Sequence, residues 1–71
     1  MKVTYDKEAD AAYIYLKDRV AKGDVKSTVA MNENVILDFD GKKKLVGIEI
    51  LSATKVLSPE AMVSIQKEVS A

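Results

Sequence analysis

The chain has 71 residues, 11 basic and 11 acidic side chains, and neither cysteine nor histidine. Disulfides, zinc sites of the Cys or His type, thiol chemistry and imidazole acid–base catalysis are excluded, and a neutral chain has no global field to gather nucleic acid or anionic lipid. A domain of this size buries only about 60% of the surface its unfolded form exposes, so without such staples self-association is the inexpensive route to stability.

Met1-Lys-Val-Thr-Tyr5 alternates apolar and polar side chains, the period of a short edge strand. After the polar turn Asp6–Asp10, Ala11–Lys17 carries aromatic and branched residues on both faces, which predicts a central strand; Tyr13, Ile14 and Tyr15 in succession do not make a single helical stripe. A charged connection with Gly23 leads to Val25–Met31, with Val25, Val29 and Met31 on one face. Asn32-Glu33-Asn34 supplies turn chemistry before Val35, Leu37 and Phe39 resume that face. The next run, Leu45–Leu51, follows a Gly-containing turn and completes a hairpin.

Ser58-Pro59-Glu60 is a helix start: a capping hydroxyl, a proline at the first helical position and an acid at the positive end of the dipole. Ala61, Met62, Ile65 and Val69 follow at helical spacing. The expected fold is α+β, one domain over residues 1–71: an antiparallel sheet of about four to five strands over residues 1–51, a connection over 52–57, and one C-terminal helix over about 58–69 packed on one face. The other face would present Tyr13, Tyr15, Ile36, Asp38, Glu49 and Leu51. No run reaches membrane-spanning length, and residues 1–20 lack the continuous apolar core of a secretion signal, so a cytoplasmic protein without a membrane partner is expected.

Asp38 and Glu49 are unusual, because a carboxylate inside a strand of so small a protein needs a partner; burying it unpaired would cost several kcal/mol. Oxygen ligands at Asp10, Asp38 and Glu49 could in principle share a hard cation such as Mg²⁺ or Ca²⁺, but their spacing has no cation-loop signature. Turn formation by Asp6, Asp10 and Asp40, and hydrogen bonding by Asp38 and Glu49, is the commoner use. The serines have no histidine to activate them. Lys42-Lys43-Lys44 is short for a phosphate-binding surface and reads as a solvated turn, so nucleic acid is not an expected partner. Gly47 suits close packing or a bulge within its strand.

Tyr5-Asp6, then Glu8-Ala9-Asp10-Ala11 leading to Tyr13-Ile14, then Val35-Ile36-Leu37-Asp38-Phe39-Asp40, and then Val46-Gly47-Ile48-Glu49-Ile50-Leu51 resemble the small bacterial and archaeal family called domain of unknown function 2283. The likeness covers residues 1 to about 57 and departs at the hairpin tip, where three lysines follow Gly41 and the usual acidic turn residues are reduced. It implies a compact α+β domain with an antiparallel sheet and no established enzyme activity, and it singles out Asp6, Asp10, Tyr13, Asp38, Gly47 and Glu49. Some relatives look like partners of small toxin proteins, which implies an antitoxin-like role as one alternative.

The leading expectation is a noncatalytic interaction module without a cofactor. It would form a homo-oligomer, a dimer above all, by burying the face around Tyr13, Tyr15, Ile36 and Leu51. The alternatives are a divalent-cation-binding protein or small metal-dependent enzyme using Asp10, Asp38 and Glu49 at a subunit interface, and a partner of a small protein.

Overall fold

The computed structural model describes residues 1–21 and 23–70. Strands β1 (Lys2–Asp6), β2 (Ala11–Tyr15), β3 (Ser27–Ala30), β4 (Val35–Phe39) and β5 (Leu45–Leu51) precede helices α1 (Ala53–Val56) and α2 (Pro59–Ser70). The sheet is antiparallel throughout, in the order β1-β2-β5-β4-β3. The α+β class is as the sequence predicts, with β1 at an edge and β2 inside. The segment expected as a plain connection, residues 52–57, instead contains the short helix α1.

Side-chain carboxylates and amides make the turns by accepting from nearby backbone N–H groups. Asp6 Oδ1 accepts from Glu8 and Ala9 at 3.0 and 3.2 Å, and Asn32 Oδ1 from Asn34 and Val35, both at 2.8 Å. Asp40 Oδ1 accepts from Lys42 and Lys44 at 2.8 and 2.9 Å. Lys43, not Gly41, takes the left-handed conformation in that turn, with φ 64°. Ser58 Oγ accepts from Ala61 N–H at 3.1 Å, the capping role its position predicts.

Register sorts the two faces. Val3, Ile14, Ile48, Leu37 and Val29 stand side by side on one, as do Tyr5, Ala12, Ile50 and Val35. This is the helix side. Val3, Ala12 and Ile50 are buried there with Ala53, Met62 and Ile65, and Tyr5, Ile14, Ile48 and Leu57 pack around them.

The helix does not cover its whole face. α2 packs along β1 and touches α1, which lies against β5. A helix about 10 Å across spans roughly two strands spaced about 4.8 Å apart, so one helix cannot roof five. Among the described residues no helix therefore packs over β3 and β4, and Val29 is 51% exposed. Val69, expected in the buried stripe, is also exposed, while Met62 and Ile65 are buried. No helix among the described residues is long and apolar enough to cross a membrane.

Candidate functional site

The face opposite the helices gathers the residues that the sequence singles out. Thr4, Tyr13, Glu49, Ile36 and Ala30 form one row across it, and Lys2, Tyr15, Gly47, Asp38 and Thr28 the next. Leu51 stands opposite Ala11 at one end. Tyr13, Tyr15, Ile36 and Leu51 thus share one face, and all four are half-buried.

Its centre is a hydrogen-bonded bridge over three strands. Tyr13 Oη, from β2, donates to Asp38 Oδ2 on β4 at 2.7 Å, and Thr28 Oγ1, from β3, donates to Asp38 Oδ1 at 2.8 Å. β5 lies between β2 and β4, so the phenol must pass over its backbone. Gly47 is where it passes: a Cβ built there would overlap the Tyr13 ring, with Cε1 only 2.8 Å away. The pairing shift between Asp38 and Phe39 adjoins this point, leaving Val46 between Gly47, opposite Asp38, and Leu45, opposite Phe39. Both uses expected of Gly47 thus meet here, close packing at the residue and a bulge beside it.

Burial of the phenol, then its bond to Asp38, raises the Tyr13 pKa well above the ordinary tyrosine value. The hydroxyl therefore keeps its proton at neutral pH and acts as a donor, not a base. The Tyr13 and Tyr15 rings are tilted at 60° with centroids 4.7 Å apart, and Lys2 Nζ sits 5.5 Å from the Tyr15 centroid. Glu49 lies between Tyr13 and Ile36, and its carboxylate makes no hydrogen bond to any described residue.

Asp10 belongs to a different construction. At φ 52° it ends the β1–β2 turn, and its backbone oxygen accepts from Ala53 N–H at 2.9 Å. Its carboxylate accepts from Thr54 Oγ1 at 2.6 Å, from Thr54 N–H at 3.1 and 3.2 Å, and from Tyr5 Oη at 2.8 Å. Ser52, the residue before α1, makes no side-chain cap, so Asp10 caps that helix from across the fold. Hydrogen bonds from Thr54, then Tyr5, hold the Asp10 carboxyl below the usual carboxylate range, and the same contact raises the Tyr5 pKa.

Asp10 is therefore tied to the helix side, while Asp38 and Glu49 are diagonal neighbours on the open face. The described residues contain no group of three or more acidic or other metal-ligating side chains placed to share an ion. A depression of about 360 Å³ at the hairpin end is lined by Lys17, Asp24, Lys26, Asp40 and Lys42, among others. Its carboxylates are already engaged: Asp24 with Lys17 at 3.2 Å and Ala21 N–H at 2.9 Å, and Asp40 with its own turn. Of the residues in these networks, Thr28 and Thr54 give no signal in the sequence: a threonine in a strand is ordinary, and Thr54 lies in the short helix α1, which the sequence reads as a connection.

The family model described as "Protein of unknown function (DUF2283)" matches residues 2–53. No curated protein and no solved structure matches the chain.

Proposed function

The chain belongs to the DUF2283 family, and we propose that it is a noncatalytic protein-interaction module that associates with a second copy of itself. The supporting observation is its surface. The chain exposes 5186 Å², whereas a folded monomer of 7.8 kDa exposes ~4,400 Å². The excess, roughly 800 Å², is what one partner contributes to a standard protein–protein interface. The molecule is a slab of 34 × 27 × 19 Å, and no large side chain among the described residues is fully buried.

A noncatalytic role fits the open face, where Tyr13, Thr28 and Asp38 satisfy one another and none is poised to react. A cytoplasmic setting fits a chain without cysteine. Two apolar surfaces could meet a second copy: the open face with Tyr13, Tyr15, Ile36 and Leu51, to which the sequence points, and the uncovered part of the helix side. Native mass spectrometry of the untagged chain tests the association itself. A dimer at tens of micromolar is expected, and a monomer at that concentration removes the reading.

A further inference from the structure

We infer that the second copy sits on the helix side of the sheet, over β3 and β4, and leaves the open face free; this inference rests on the self-association reading. Val29 is 51% and Met31 70% exposed, beside the half-buried Val35 and Leu37. Register places Val29 next to Leu37, and the intervening residues Thr28, Ala30 and Ile36 belong to the other face. Val29, Met31, Val35 and Leu37 thus adjoin one another on this face, with Ser27 at its end beside Phe39.

The open face is a poorer surface for a second copy. Its rows carry Lys2, Thr4, Asp38 and Glu49 among the apolar residues. A two-fold stack there would take two Glu49 carboxylates out of water, and that carboxylate has no hydrogen-bond partner among the described residues to offset the loss. Its aromatic residues are also shielded already, by each other and by Lys2. On the helix side, Val29 and Met31 are apolar and exposed.

The geometry closes. Packed sheets lie about 10 Å apart, and a helix packs at a similar height on its own sheet. With the bare halves of two copies stacked about a two-fold axis, α2 of each copy occupies the layer of the other's sheet and lies beside its β3 edge. That arrangement covers the open edge of β3. The contact is isologous and ends at two copies, and the chain's zero net charge sets up no repulsion between them.

The test compares two variants of the full chain by sedimentation equilibrium, with far-UV circular dichroism as the check on folding. Val29→Lys combined with Met31→Lys changes two side chains that are exposed in one copy, one in the edge strand β3 and one just past its end, where lysine is well tolerated. The expected result is a native spectrum with the dimer dissociation constant raised about a hundredfold or more. Tyr15→Lys, on the open face, is expected to leave that constant within about threefold of the parent. If Tyr15→Lys yields a folded monomer while the double variant remains dimeric, the second copy sits on the open face and the inference is overturned with self-association intact. A monomeric parent chain removes both.

Discussion

Gly47 and Tyr13 are best understood as one unit. The phenol reaches Asp38 only by crossing a strand that offers no Cβ at that point, so Gly47→Ala forces the ring off its carboxylate. The expected cost is about 1–3 kcal/mol in urea unfolding. Tyr13→Phe, which keeps the ring and loses the bond, should cost about 0.5–1.5 kcal/mol. In a Tyr13→Ala background the sign should change: with the space vacated, Gly47→Ala becomes neutral or stabilising, since alanine is favoured over glycine in a strand by about 0.5–1 kcal/mol. Equal costs in both backgrounds would show that the overlap plays no part. The sequence marks Asp38 as a strand carboxylate in need of a partner, but of its two partners Tyr13 lies 25 residues away on a nonadjacent strand. Local periodicity has no access to such a pair.

Among the elements, α1 depends most on a distant residue. Four residues are too few for a helix to sustain itself, and its first amides are satisfied by Asp10, 44 residues from Thr54 in the chain. Ala53, fully buried, anchors the same turn to the core. The carboxyls of Asp10, Asp24 and Asp40 are all held below their ordinary range in the folded chain, by Thr54, by the Ala21 N–H and by the Lys44 N–H respectively, each as the leading cause. The unfolded chain then binds more protons than the folded one in acid. Their stabilisation is present in full above the unfolded value of about 3.9 and is lost as pH falls through the lowered folded values. Thermal melts should show a fall in midpoint below about pH 4. Asp10→Asn should lower the midpoint at pH 7 and make the acid-side decline shallower. A difference between variant and parent that is the same at pH 7 and pH 3 would mean that the charge on Asp10 does not contribute. The sequence assigns Asp10 to a turn, which it occupies, but not to a helix cap, because that role exists only once β5 has delivered Ser52 and Ala53 beside it.

For the whole molecule, the governing fact is that one twelve-residue helix lies over one end of a five-stranded sheet. If a second copy completes the layer, folding and association are linked, and the melting temperature must depend on concentration. For two chains of this length unfolding together, the midpoint should rise roughly 3–5 °C for each tenfold increase in protein concentration. A midpoint independent of concentration, in a chain shown to be dimeric at the start of the melt, would mean that each copy is stable without the other.

Period-two alternation, turn chemistry at Asp6, Asn32 and Asp40, and the Ser58-Pro59-Glu60 helix start are local signals. By themselves they determined the α+β class, five strand runs, a C-terminal helix and the set of side chains on the open face, because a pleated strand fixes the face of every residue once one is known. Tertiary structure decided what depends on strand order and on lateral position. It placed β5 between β2 and β4 so that Tyr13 must cross Gly47, made Asp10 the cap of α1, and set α2 over β1 so that Val29 and Met31 were left bare. Alternation says which way a side chain points. What stands above it is decided by where a helix comes to rest, and that is settled by contacts between residues far apart in the chain.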